Sequence, residues 1–334
     1  MTARLSLSHG NGGRLMRELI ERYFAANLAN PHLDTEADAV CVPQLEGRDM
    51  MMTTDGFTVA PLEYPGGDIG SLAVHGTVND LAVGGADPAY LTLNAFLEEG
   101  LPLELLERIV RSIAAAAEEA GARIVAGDTK VLSRGECGGI YLATTGVGFR
   151  PRGLRLGMRE IRPGDAILVS GSIGDHGAAV MLAREEFGWH GDLQSDSASV
   201  LPICQALREL PGLRFLRDPT RGGLATVLND IARATECGVR IREADVPVSE
   251  SVAGVCETLG FEPFYLASEG RVVTVVDPEH ADAALAAMRQ SGAAPDPRLI
   301  GFLASDTTGV IMETVLGGER ILDELEDDPL PRIC

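Results

Sequence analysis

Lysine is nearly missing from this chain of 334 residues. Lys130 is the single lysine among 28 basic residues, which leaves 28 − 1 = 27 arginines. An ammonium is a compact charge of tunable pKa and a guanidinium is not, so the one retained lysine is a candidate for a chemical task. Aromatic residues are also scarce, at 4%, while apolar residues reach 45%. The cores must then be built from Ala, Val, Leu and Ile, as in strands that alternate with Ala-rich helices. Positive charge is in deficit: 28 − 49 gives a net charge of −21. That excludes the basic footprint of a nucleic-acid binder and disfavours an anionic membrane surface. A nucleotide remains compatible, provided Mg2+ bridges its phosphates to carboxylates.

Other absences narrow the reading. No apolar run is long enough to span a bilayer, and the opening MTARLSLSHGNGG lacks the apolar stretch of a secretory signal. Together these predict a cytoplasmic protein. The six cysteines (Cys41, Cys137, Cys204, Cys237, Cys256 and Cys334) include no CxxC pair. The first five read as small buried hydrophobes; nothing follows Cys334. No Walker A pattern occurs, and no GxGxxG follows a strand and opens a helix. A bound nucleotide must be held in another way.

The length exceeds what one core serves well, so two domains are expected. The stretch 151–165, PRGLRLGMREIRPGD, is rich in Arg, Gly and Pro and reads as the linker. The expected division is 1–150, 151–316 and a flexible tail over 317–334. Gly317-Gly318 is the expected hinge, and the prolines of PLPRIC keep the end extended. In the first half the periodicity predicts a helix over 15–24, strands near 40–43, 50–54 and 57–60, and a helix over 69–83. A strand over 89–97, a helix from Pro102 to Gly121 and strands over 123–126 and 139–149 follow. The second half opens as strand, Gly-rich turn and helix in ILVSGSIGDHGAAVML. Helices are predicted after Ser197 and over 222–235, 250–259 and 279–290. Strands are predicted over 239–242, 271–276, 298–303 and 308–312. Both halves are mixed α/β, without the regular alternation of a doubly wound sheet.

Candidate chemistry gathers at strand ends. Asp38 in EADAV, Asp55 in TTDGF, Asp80 in VNDLA, Asp128 in AGDTK and Asp218 in RDPTRGG lie where apolar strands meet small-residue turns. Carboxylates so placed suit a hard cation, although each taken singly also reads as a cap or turn residue. Asn79 adds an amide that orients a ligand. Lys130, beside Asp128 and Thr129 and just past a predicted strand, suits a phosphate contact or a developing negative charge. Thr220 and the glycines after it precede a helix, where backbone N–H groups hold anions. Glu269 in LASEGR suits a general base or a salt bridge to Arg271. His9, Gly10, Gly12 and Gly13 form a Gly-rich flap able to approach a ligand closely.

These motifs combine into a resemblance. SHGNGG, EADAV, TTDGFTV, GTVNDLAVGGADPAYL, VAGDTKV, RDPTRGGLATVLNDIA, ASEGR and the terminal PRIC resemble the hydrogenase maturation factor HypE family, across essentially the whole chain. That family sits in a superfamily with aminoimidazole ribonucleotide synthetase, selenophosphate synthetase and thiamine-monophosphate kinase, which lack the PRIC tail. The resemblance implies two α/β domains, the first forming a β-barrel-like dimer core with ATP at or near the interface. It implies that HypF carbamoylates Cys334 and that ATP then drives dehydration of this group to a thiocyanate. The cyano group would pass to iron on HypC–HypD for the [NiFe] hydrogenase. Asp38, Asp55, Asp80 and Asp218 would hold Mg2+, with Asp128 close by, Lys130 would meet the phosphoryl group and Glu269 would act as base. Two other readings stay open. One is a kinase or amide-activating ligase acting on a free small molecule; the other is a non-enzymatic maturation scaffold.

Overall fold

The computed structural model describes residues 4–10, 14–33, 44–184, 193–235 and 237–324. The chain divides into two compact units, one built mainly on residues up to 152 and the other on those that follow.

The first unit opens with a helical stretch: α1 (Arg14–Leu19), a π-helical segment (Ile20–Ala25) and α2 (Ala26–Leu28). It buries Leu19, Tyr23, Phe24 and Leu28. Strand β1 (Arg48–Phe57) runs without interruption where two short strands are predicted. The small hairpin β2 (Glu63–Tyr64) and β3 (Gly67–Asp68) leads into α3 (Ile69–Val83). The Asp68 carboxylate starts α3 by accepting the N–H groups of Gly70 at 2.7 Å and Ser71 at 3.0 Å, which satisfies donors that a helix end leaves free. Strand β4 (Asp87–Glu98), α4 (Leu103–Glu119), β5 (Arg123–Leu132) and β6 (Ile140–Pro151) complete the unit.

The four long strands form one sheet in the order β1-β6-β4-β5. Only the β4–β5 pair is parallel. α3 packs on one face. A Cβ added to Gly70 would lie 2.5 Å from the Ile109 carbonyl oxygen of α4, and one on Gly76 would lie 2.8 Å from the Phe57 ring of β1. Small residues thus let α3 approach both the sheet and α4 closely, which fits a core poor in aromatics. The other face carries Met50 and Met52, 53% and 64% exposed.

One detail of β5 decides where its polar residues point. The β4–β5 register pairs Leu91 with Ile124 and then Thr92 with Ala126, so Val125 is an extra residue. A one-residue bulge reverses the side-chain alternation beyond it. Thr144 of β6 contacts Thr77 of α3 and stands in register with Asp55, Leu93 and Gly127. Asp128 and Lys130 stand in register with Asn94 and Phe96, on the opposite face.

The second unit holds β7 (Ala166–Val169), α5 (Asp175–Ala183), α6 (Leu201–Arg208), β8 (Leu213–Arg217), α7 (Gly223–Thr235) and β9 (Gly238–Arg242). α8 (Glu250–Leu259), β10 (Val273–Val276), α9 (Ala281–Gln290), β11 (Arg298–Ala304), β12 (Val310–Glu313) and β13 (Glu319–Ile321) follow. Its seven strands lie in the order β13-β12-β9-β11-β7-β10-β8. Two cores flank this sheet. Ile167, Val169, Val273 and Val275 pack with Leu224, Leu228 and Ile231 of α7. Ala166, Leu168 and Val276 pack with Ile203 and Leu207 of α6 and Ala284 and Met288 of α9. Burial on both faces explains why β7 (AILV) and β10 (VTVV) are almost wholly apolar, with Thr274 the single polar residue.

Gly317 and Gly318, expected as a hinge, instead turn the β12–β13 hairpin. Thr314 accepts the Gly317 N–H at 2.9 Å and donates its own to the Gly318 carbonyl at 2.7 Å. Leu322, just beyond, is fully buried. The glycine pair supplies the turn geometry, with Gly317 at φ +80°.

Candidate active site

In the first unit the polar residues divide between the two faces of the sheet. Asp55 (β1) lies on the face that packs on α3, and its Oδ1 accepts the Gly56 N–H at 2.7 Å. The Thr53 hydroxyl, on the same face, donates to Asp80 Oδ2 on α3 at 2.8 Å. Asn79 is fully buried beside it. Asp128, Thr129 and Lys130 are inside β5, where the sequence reading ended the strand at residue 126. The correction follows from pairing: polar residues continue an edge strand because β4 supplies its hydrogen bonds. Lys130 Nζ is 3.8 Å from Asp128 Oδ2, with the two side chains 65% and 58% exposed, so the ammonium is held loosely. Thr129, buried, lines an apolar pocket of about 100 Å³ with Ile20, Phe24, Leu28, Leu93 and Ile124.

His9 and Gly10 belong to a 3-10 turn, Leu7–Gly10, and His9 Nδ1 lies 2.9 Å from the Ser6 hydroxyl. Gly12, Gly13, Asp38 and Cys334 fall outside the described residues. Among the described residues no three Asp, Glu, His or Cys side chains gather as a metal site. Of the predicted ligands among the described residues, Asp55 and Asp80 belong to the first unit and Asp218 to the second.

In the second unit the structure brings two predicted motifs together. RDPTRGG and ASEGR are separated in sequence, yet the Ser268 N–H donates to the Pro219 carbonyl at 3.0 Å. Gly223 lies at φ +59°, and a Cβ there would sit 2.5 Å from the Leu266 carbonyl oxygen. Both conditions demand glycine. Asp218, Thr220 and Glu269 therefore ride on two loops tied backbone to backbone. Asp218 and Glu269 are 8% and 4% exposed, so both carboxyls belong to the interior, not to a solvated loop.

The Glu269 loop is tied to further segments, among them the Gly-rich turn SIGDHG, none of whose residues is a predicted site residue. Gly174 donates its N–H to the Ser268 hydroxyl at 2.8 Å, and Gly177 donates to the Ala267 carbonyl at 3.0 Å. The Asp196 carboxylate accepts the N–H groups of Glu269 and Gly270. Arg271, offered as the salt-bridge partner of Glu269, lies 3.6 Å from Asp196 and 3.9 Å from Asp175. The Ser249 hydroxyl donates to Asp175 at 3.0 Å, and Ser172 hydrogen-bonds its other oxygen. Burial pushes the Asp196 carboxyl up, with Arg271 working against that shift. Next to Asp175, His176 is fully buried with Nδ1 2.8 Å from the Ser195 hydroxyl. Burial lowers its pKa to about 4, so the imidazole is neutral near pH 7. The Gly-rich turn SIGDHG was the one sequence signal pointing to this cluster.

The cysteines divide by environment. Cys204, Cys237 and Cys256 are buried as expected, while Cys137 is half-buried. Burial pushes the Cys204 and Cys256 thiols up, to about 11 for Cys256. Neither is a nucleophile at neutral pH.

Two such units, each a sheet with helices, match the N-terminal domain of AIR synthase related proteins over residues 36–149 and the C-terminal domain of the same proteins over residues 162–311. The chain is thus a two-domain protein of the AIR synthase related class. The carbamoyl dehydratase HypE of Azotobacter vinelandii is 46% identical over 332 residues, covering 99% of this chain and 97% of that protein. A crystal structure of the hydrogenase maturation protein HypE in complex with ATP is 44% identical, with a TM-score of 0.94, and covers 99% of this chain and all of that one. A HypE–HypF complex contains a chain 43% identical, with a TM-score of 0.80, over 92% of this chain and 99% of that one. The chain belongs to the HypE family of carbamoyl dehydratases, enzymes of hydrogenase maturation.

Proposed function

We propose that this chain dehydrates an S-carbamoyl group on its own Cys334 to a thiocyanate at the expense of ATP. The observation that carries the reading is the match to a carbamoyl dehydratase over 99% of the chain and 97% of that relative. HypF would load the carbamoyl group, and the cyano group would pass to iron held by HypC–HypD, in the cytoplasm. The solved HypE–HypF and HypE–ATP complexes support HypF as donor and ATP as co-substrate.

An amide oxygen is a poor leaving group. Its attack on the γ-phosphorus releases ADP and forms a C–O–P bond, with one N–H proton lost. Removal of the second N–H proton expels phosphate and leaves S–C≡N. Glu269 is the base in this reading, and its interior position excludes the water that would hydrolyse the activated group. Lys130 neutralises charge on the transferring phosphoryl group. The flap carrying His9, Gly10, Gly12 and Gly13 closes over ATP, while Asn79, Thr129 and Thr220 orient it. Asp38, Asp55, Asp80 and Asp218, with Asp128, offer hard oxygen donors. This donor chemistry fits Mg2+. When bound, Mg2+ would screen the polyphosphate.

Two copies would pair through the open faces of their four-stranded sheets to give a barrel-like core. The exposed Met50 and Met52 support that pairing. A free small-molecule substrate gives Cys334 no task, and a scaffold gives Lys130 none. Mass spectrometry of the C-terminal peptide, after incubation with HypF, carbamoyl phosphate and ATP, tests the reading. A thiocyanate on Cys334 is expected, and its absence from Cys334→Ala. Unmodified Cys334 under every condition would refute it.

A further inference from the structure

The loop around Glu269 is anchored by a side chain that has no place in the mechanism above. Asp196 has a side chain only 1% exposed. Its Oδ1 accepts the Glu269 N–H at 3.1 Å and its Oδ2 accepts the Gly270 N–H at 3.3 Å. Those two N–H groups belong to the two peptide planes that flank the Glu269 Cα. Holding both planes on one carboxylate fixes the backbone torsions at residue 269, and so fixes the direction in which its side chain leaves the chain.

The backbone of Asp196 adds a second constraint. A Cβ on Gly270 would fall 1.9 Å from the Asp196 carbonyl oxygen, so the two segments touch main chain to main chain. Arg271 closes the arrangement. Its Nε lies 3.6 Å from Asp196 Oδ2 and donates to the Ser172 carbonyl at 3.0 Å, while its Nη1 donates to the Gly270 carbonyl at 3.1 Å. A buried carboxylate is costly unless paired and hydrogen-bonded. Two neutral carbonyls would satisfy the same two amides without that cost. The charge is retained at the one loop that carries the proposed base, and Arg271 offsets it.

We infer that Asp196, with Arg271 as its counter-charge, is a positioning residue that aims the Glu269 carboxylate at the carbamoyl nitrogen. The inference rests on Glu269 being the base. A reacting group must be held to within about 0.5 Å and 10–20°, and a misplacement of about 1 Å costs on the order of 100-fold in rate. Loss of one of the two acceptors at Asp196 frees one flanking peptide plane, so a 10- to 100-fold loss is expected on that scale.

The test is single-turnover formation of thiocyanate on carbamoylated full-length protein, as a function of ATP. Asp196→Asn should lower the rate at saturating ATP by about 10- to 100-fold and leave the ATP concentration for half-maximal rate within about twofold. Glu269→Gln should lower the rate further, and adding Asp196→Asn to it should cost nothing more, because aiming an absent base has no effect. The paired variant Asp196→Asn/Arg271→Gln removes both buried charges, which protects the fold, and should show the same rate loss. An undiminished rate in Glu269→Gln would remove the base itself. Glu269→Gln slowed, with Asp196→Asn and the paired variant at wild-type rate per folded molecule, would overturn the positioning role alone. So would losses that multiply in the Asp196→Asn/Glu269→Gln double variant.

Discussion

His176 gives a pH dependence that can be worked from the structure. Its ring is fully buried with Nδ1 2.8 Å from the Ser195 hydroxyl, and burial lowers its pKa from 6.5 to about 4. The unfolded chain takes up this proton near pH 6.5, while the folded chain resists it until about pH 4. Between those values the unfolded state binds more protons, so stability falls as pH falls. The contribution is complete above pH 6.5 and gone below pH 4. Each pKa unit corresponds to about 1.4 kcal/mol, so the change across the window is about 3 kcal/mol. His176→Gln keeps a polar group near Ser195 and removes the titration. Asp165 and Asp196, whose carboxyls burial pushes up, act in the opposite direction, but equally in both proteins. Native-state hydrogen exchange at the amides of β7 and β10 reads the second unit directly. Between pH 7 and 4 the wild type should lose about 3 kcal/mol more protection than the variant. Parallel profiles would show that burial does not hold His176 neutral.

Two further outcomes follow from contacts already described. Lys130→Ala should abolish thiocyanate formation, read by mass spectrometry, yet shift the melting temperature hardly at all, since its exposed pair with Asp128 contributes less than about 1 kcal/mol. Gly223→Ala should destabilise the second unit by more than about 1 kcal/mol in denaturant unfolding, because φ is +59° and the new methyl meets the Leu266 carbonyl.

Much of the architecture was legible in the sequence. The helix predicted over about 69–83 matches α3, because its apolar run is bounded by Asp68 and by Gly84-Gly85. The strands β7 (AILV) and β10 (VTVV) are legible as short runs rich in β-branched and apolar residues. β8, with its LRFLR alternation of Arg and apolar residues, is not among the predicted strands, and neither is the three-residue β13. Both are edge strands, which are held by a neighbour rather than by their own composition. The site was half legible. Asp218 and Glu269 stood out by their motifs, and backbone bonds do bring those motifs together. Asp196 carried no motif. Its role arises only because a segment 73 residues earlier returns beneath the Glu269 loop. The separation of Asp128 and Lys130 from Asp55 and Asp80 was equally hidden, because it depends on a register shift that no local pattern announces.

That register shift at Val125 imposes an arithmetic on the gene. The stretch from Ile124 to Lys130 tolerates insertions or deletions only in even steps. Removing one residue between Ile124 and Asp128 would turn Asp128 and the chain's single lysine toward the apolar side chains of Ile20, Phe24 and Leu28 that Thr129 now meets. It would also turn Thr129 outward. Every substitution in this segment changes one side chain, whereas a single lost codon inverts them all.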